Sequence, residues 1–354
     1  MRIAQIPPLY EAVPPRLYGG TERIVGHLTE ALVALGHDVT LFAAADARTH
    51  ATLVPVRDQS IRLDPAPLKA DMAAHLHQLA VVREHAAEFD VMHFHGELLH
   101  LPMFEDIAER TLTTQHGRLD LTDLRGAYRR WSRYPLVSIS DNQRAPMPDA
   151  NWLATVPHGL PPDLYAFVPR GSGGYLAFLG RISPEKGIES AIAIAKASGV
   201  PLKIAAKIDE TNAVYYREVI HPLLQGPDIE YVGEIGDADK SEFLGNAIAL
   251  LFPIDWPEPF GLVMIEGMAC GTPAIAFDRG SVPEVIEESV SGLIVSDAAA
   301  AVAAVPIAAS MDRRRVRQAF ERRFTVMTMA KNYVALYEGL AKAPSVAAPL
   351  LETA

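Results

Sequence analysis

The chain has 354 residues, which on length alone suggests two domains of roughly 150–180 residues each. Hydrophobic residues make up 49%, ample for two buried cores, and the net charge of −11 excludes a general nucleic-acid or anionic-membrane surface, so an anionic ligand would need a local positive site. The single cysteine, Cys270, excludes an internal disulfide framework, fits a reducing compartment and reads as a buried structural thiol in an apolar helix.

Residues 2–6 read as a strand running into the Pro7-Pro8 loop, too short and too proline-rich for a signal-peptide core. No run approaches the roughly 18 apolar residues of a membrane helix, so a cytoplasmic protein is expected. A helix follows over 21–35, with apolar Ile24, Leu28, Ala31 and Leu35 and a stop at Gly36, and 37–43 is the next strand. A helical stretch over 73–88 precedes short strands at 91–95, 111–115 and 136–139. At 167–174 the texture changes to proline, glycine and serine, which reads as a linker. Alternation then restarts, with strands at 175–179, 202–206, 229–232, 249–252 and 274–277 and helices at 187–198, 240–246, 262–270 and 282–288. Such alternation predicts βαβ units and mostly parallel sheets. The expected fold is α/β: two Rossmann-like, doubly wound units over 1–168 and 172–326, with 343–354 as a loose tail. Ligands bind beyond the carboxyl ends of parallel strands, so two such units facing each other would line one central cleft.

The motifs fall at those strand ends. Gly19-Gly20-Thr21-Glu22 opens the first helix; the glycines allow close backbone approach to a ligand and Thr21 suits an N-cap, while a plain tight turn is the alternative. His93 and His95 lie on one face of a strand, but a third and fourth metal ligand are not evident beyond Glu97. His116, at the end of Thr113-Thr114-Gln115-His116-Gly117, reads either as a structural histidine or as one exchanging a proton or hydrogen bond near neutrality. Val156-Pro157-His158-Gly159-Leu160 reads as a loop closing the first domain. In Gly180-Arg181-Ile182-Ser183-Pro184-Glu185-Lys186-Gly187, two cations five apart sit on a strand-to-helix loop, fit for a diphosphate or simply solvated.

The densest motif runs from Glu258 to Gly271. It places Glu258 on a loop, Gly261 at a helix start, Glu266 inside the helix and Gly271 at its end. Free N–H groups at a helix start attract phosphate, whereas flanking carboxylates suit hydroxyls. A nucleotide sugar has both. The basic run Arg313-Arg314-Arg315-Val316-Arg317 reads as the solvated face of a packed helix, with contact to an acidic membrane surface or anionic acceptor as the alternative.

Taken in order, these pieces resemble glycosyltransferase family 4, the retaining GT-B sugar transferases. They include Gly19-Gly20-Thr21-Glu22, His116-Gly117, Ser138-Ile139-Ser140, Pro157-His158-Gly159, Gly180 to Gly187, Val232-Gly233, the paired glutamates Glu258 and Glu266, and Gly280-Ser281-Val282-Pro283-Glu284. The resemblance spans nearly the whole chain and is densest over 175–295. It implies a GT-B fold whose last helix, about 329–342, braces the first domain. It also implies a donor site in which Arg181 and Lys186 hold the diphosphate, helped by backbone N–H groups at Phe260, Gly261 and Leu262. Glu258 would meet the transferred sugar, Glu266 the ribose, and Val232, Gly233 and Ile235 would flank the base. Gly19 and Gly20 would approach the diphosphate, and His116 the sugar. No metal and no cofactor are implied, and no Asp-x-Asp motif stands out. The donor would be a nucleoside-diphosphate sugar, UDP-sugar by family frequency, and the acceptor a small-molecule, lipid-linked or saccharide hydroxyl.

The stretch Pro253-Ile254-Asp255-Trp256-Pro257 is bulkier than the family's usual run, and Arg279 stands where glycine is common. Other readings of the same cleft are an epimerase, a phosphorylase, or a non-catalytic sugar-nucleotide-binding protein.

Overall fold

A computed structural model describes residues 1–17 and 19–342; the tail expected at 343–354 lies outside the described residues. The chain forms two compact units. The first comprises Met1–Ile139, Arg144–Val156 and the chain from Met329; the second comprises Ser140–Gln143 and Pro157–Thr328. The 167–174 stretch therefore lies inside the second unit. Its backbone is engaged there, with Val168 N–H donating to Cys270 O at 3.0 Å and Gly173 N–H to Asn246 O at 3.0 Å. Likewise Pro157-His158-Gly159 belongs to the second unit, where Leu160 forms a bridge with Thr325.

The first unit carries seven parallel strands, β1 (Arg2–Ile6), β2 (Asp38–Ala44), β3 (Thr52–Arg57), β4 (Val91–Phe94), β5 (Thr111–Thr114), β6 (Leu136–Ser138) and β7 (Trp152–Thr155), in the order β3-β2-β1-β4-β5-β6-β7. The second carries six, β8 (Leu176–Arg181), β9 (Leu202–Lys207), β10 (Ile229–Gly233), β11 (Ala249–Phe252), β12 (Ala274–Phe277) and β13 (Gly292–Val295), in the order β10-β9-β8-β11-β12-β13. Both sheets reverse direction of strand addition beside their first strand, the doubly wound arrangement expected. Central strands such as β4 and β11 are buried along their whole length, as sheets covered on both faces require. Among the described residues no helix is long and apolar enough to cross a membrane.

Two local expectations need correction. The first helix starts at Gly20, with Gly19 at its N-cap and no side-chain cap, so Thr21 is not the capping residue. Instead Glu22 is buried and accepts from Glu11 N–H at 3.3 Å. The basic run is also not merely a solvated face. The helix Arg313–Arg323 turns Arg313 inward, where its guanidinium donates to Val168 O, Ala247 O, Gly245 O and Thr272 Oγ1 at 2.6–2.9 Å. Arg317 similarly donates to Pro162 O at 2.6 Å and to Ala269 O. Only an arginine fork can serve so many carbonyls at once. Replacing Arg313 with Met is expected to destabilise the second unit by about 3 kcal/mol, because several acceptors lose their donor. The exposed Arg315→Met should stay within about 0.5 kcal/mol. Urea unfolding of both variants, followed by circular dichroism, measures the difference.

Candidate functional site

The predicted site residues divide between the two units. In the second they sit on three loops at the carboxyl ends of β8, β10 and β11 and on the helix Leu262–Cys270. Arg181 closes β8 and pairs with Asp209 Oδ2 at 3.4 Å and Glu185 Oε1 at 3.5 Å. Lys207 pairs with the other oxygen of Asp209 at 3.2 Å. Past a single turn, Pro184–Lys186, the loop delivers Lys186 to a direct ion pair with Glu258 Oε2. The same carboxylate oxygen accepts from Trp256 Nε1 at 2.7 Å, and the Lys186 ammonium lies 4.9 Å from the centre of the Trp256 ring. Two loops distant in sequence are also joined through backbone, Asp255 N–H donating to Glu185 O at 3.0 Å.

Glu258 is held from behind. Its carbonyl accepts from Ser281 N–H at 3.0 Å, and Ser281 Oγ donates to Phe260 O at 2.8 Å. The side chain of Phe260 is core, edge-on to His158 at 4.9 Å, so only its backbone faces ligand chemistry. Gly261 takes a left-handed conformation, φ 77°, as the N-cap of the helix, a geometry glycine adopts cheaply. Gly271 ends the helix, also left-handed. The helix carries no acidic residue in its first turn, which leaves its positive end available to an anion.

Glu266, on the second turn, is almost wholly buried and pairs with Lys240 Nζ at 2.7 Å. Tyr165 OH donates to Asp237 at 2.6 Å in the same cluster. Val232 is exposed at the end of β10, Gly233 has φ 84°, and Ile235 follows on the loop. Cys270 is buried, and burial pushes its thiol up to about 12, an inert structural group as expected. The structure thus joins Lys186 to Glu258 directly, while Arg181 and Glu266 each belong to a neighbouring ion-pair group.

In the first unit, Gly19 packs against Pro15, where a Cβ would come within 2.8 Å of the proline side chain. His116 lies past β5 in a polar chain through the sheet. His116 Nε2 meets His95 Nδ1 at 2.9 Å, His95 Nε2 meets Gln5 Oε1 at 2.8 Å, and Gln5 Nε2 donates to Tyr337 OH at 3.2 Å. Tyr337 OH meets His93 Nδ1 at 2.7 Å, and His93 Nε2 meets Thr114 Oγ1 at 2.7 Å. The ring nitrogens of His93 and His95 are therefore engaged with protein groups. Desolvation pushes the His116 pKa down to about 3, so it is a neutral hydrogen-bonding group rather than one exchanging a proton near neutrality.

The sequence alone does not point to Trp256, Lys240 or Asp209 as members of the site. Trp256 carried a signal, since its stretch is unusually bulky. Lys240 and Asp209 sit among other surface-type charges, and only tertiary structure singles them out.

Comparison with known proteins covers most of the chain. Residues 168–323 match the family described as Glycosyl transferases group 1, and residues 18–146 match Glycosyltransferase Family 4. Glycogen synthase of Mycobacterium tuberculosis is 26% identical over 383 residues, covering 92% of this chain and 92% of that one. AviGT4, a glycosyltransferase involved in Avilamycin A biosynthesis, superimposes with a TM-score of 0.73 at 24% identity over 97% of this chain and 98% of its own. The Anabaena protein HepE in complex with UDP-glucose gives a TM-score of 0.72 at 18% identity over 96% and 100%.

Proposed function

Because the chain belongs to glycosyltransferase family 4 and has the GT-B fold, we propose that it moves a hexose from a nucleoside-diphosphate sugar to a hydroxyl acceptor. The reaction retains anomeric configuration and needs no divalent metal. A UDP-sugar is the first-choice donor, as HepE binds UDP-glucose. The acceptor is a small-molecule, lipid-linked or saccharide hydroxyl.

The observation that carries this reading is the Lys186–Glu258 pair beside the start of the helix Leu262–Cys270. Breaking the sugar–phosphate bond builds negative charge on the leaving diphosphate. Lys186, Arg181 and the N–H groups at Gly261 and Leu262 supply fixed positive charge there. Glu258 is the group for sugar hydroxyls, since a carboxylate accepts and does not donate. Lys186 and Glu258 pair with one another. A bound donor replaces that contact with two, diphosphate on the ammonium and hydroxyl on the carboxylate. Glu266 is the group for the ribose; in the first unit, His116 is the candidate for sugar recognition and Gly19 and Gly20 for diphosphate recognition. Val232, Gly233 and Ile235 flank the base. With acceptor present, the leaving phosphate serves as base in a front-side attack; no protein nucleophile is assigned.

Incubation with UDP-glucose, GDP-mannose and ADP-glucose, without acceptor, is expected to release nucleoside diphosphate from one of them. The rate should be the same with EDTA and with added magnesium. A rate lost to EDTA and restored by magnesium would defeat the metal-free mechanism.

A further inference from the structure

Trp256 touches both charged members of the site yet has no role in the scheme above. Its indole N–H donates to Glu258 Oε2 at 2.7 Å, and its ring lies beneath the Lys186 ammonium at 4.9 Å. It is tied to Glu258 through the backbone as well, Glu258 N–H donating to Trp256 O at 2.8 Å. Pro257 and Pro259 flank Glu258 and fix φ on either side of it. Two groups, one cationic and one neutral, therefore hold the same carboxylate oxygen.

A diphosphate acts differently on the two. It carries more negative charge than one carboxylate and draws the ammonium of Lys186 toward itself. The neutral indole N–H feels no such pull. We propose that Trp256 is a positioning residue for sugar transfer: it keeps Glu258 Oε2 anchored when Lys186 turns to the diphosphate, so that Oε1 faces a hydroxyl of the transferred sugar. This rests on the reading of Glu258 as the sugar-contacting carboxylate. Without the anchor, Glu258 would lose its last hold at the moment the donor binds. The ring has a second part in the exchange, since its face keeps the ammonium beside the site while its partner changes.

Two variants separate these parts. Trp256→Phe keeps the ring and removes the N–H; Trp256→Leu removes both. Breakdown of UDP-glucose, GDP-mannose and ADP-glucose is followed without acceptor, and the affinities for UDP, GDP and ADP are measured by calorimetry. For the donor that is turned over, Trp256→Phe is expected to lower kcat/KM by about 10- to 100-fold, the worth of a hydrogen bond to a charged group. Its Kd for the matching nucleoside diphosphate should stay within about twofold, because the bare diphosphate has no sugar for Glu258 to meet. Trp256→Leu should lose at least as much. An equal loss of nucleoside-diphosphate affinity in Trp256→Phe would mark a merely structural tryptophan and overturn the proposal, and so would an unchanged kcat/KM. Glu258→Ala in the same assays keeps the two readings apart. If Glu258→Ala retains activity, or if none of the three donors is turned over, the assignment of Glu258 falls and the role of Trp256 with it. If Glu258→Ala is inactive while Trp256→Phe is not, only the role of Trp256 falls.

Discussion

Lys186→Ala and Glu258→Ala are each expected to lower donor breakdown by about 10²- to 10³-fold, the usual cost of removing one preorganised charged group from a transition state. The two losses arise differently. Lys186→Ala removes a cation from the leaving diphosphate and leaves the 9%-exposed Glu258 carboxylate without its ammonium partner. Glu258→Ala leaves the ammonium in place, frees it from its carboxylate partner and removes the hydroxyl acceptor, so bare nucleoside diphosphate should bind it at least as well as it binds the parent protein. Lys186→Arg is not expected to restore the full rate, because the longer, planar guanidinium does not fit the largely enclosed place of a compact ammonium held by Glu258. Circular dichroism checks that the variants are folded, and release of nucleoside diphosphate measures the rate. Full activity in both alanine variants would show that these loops do not hold the donor.

Gly187→Ala strikes the same pair without touching either charge. Gly187 has φ 71°, and a Cβ there would lie 1.9 Å from the carbonyl oxygen of Pro253. That oxygen is main chain just past the interior strand β11, so it cannot swing aside. Relief requires the loop bearing Lys186 to move from the loop bearing Glu258, which breaks the hydrogen bond from Asp255 to Glu185. The expected cost is about 2–4 kcal/mol, positive-φ strain and overpacking together, with at least a tenfold fall in donor breakdown. Gly199→Ala is the control. It shares the left-handed conformation, φ 67°, but nothing lies within 4 Å of its Cβ, so it should cost about 1 kcal/mol and leave the rate unchanged. Thermal unfolding and donor breakdown at 25 °C test both. Equal effects at the two glycines would refute the steric link between the loops.

The interior of both sheets was legible because buried strands read as continuous apolar runs. The strands that escaped notice, β3, β7 and β13, are all edge strands. β3 is interrupted by Pro55, β7 is half-exposed, and β13 is a bare four-residue run, apolar but too short to tell from a loop, so none shows a clear strand period. The loop motifs were legible because glycine, proline and charge stand out at strand ends. What their charges do was not. Arg313 reads like Arg314 and Arg315, and only the fold turns one inward and two out. His116 reads as a histidine of ordinary pKa until its burial is seen. Trp256 was visible only as bulk, since nothing in its sequence neighbourhood tells that its N–H reaches the glutamate two residues on.

The helix Val326–Lys342 supplies Tyr333 and Tyr337, both essentially inaccessible to solvent, to the polar chain of the first unit. These hydroxyls follow the whole of the second unit in chain order. While the ribosome is still making Pro157–Thr328, the nascent first unit lacks the tyrosine hydroxyls that Gln5, His93 and Thr114 meet in the finished fold. At about 5–20 residues per second that interval lasts on the order of 10–30 s. The first unit thus cannot complete its polar chain until the second has been synthesised, and its finished state records that translation has passed through 157–328.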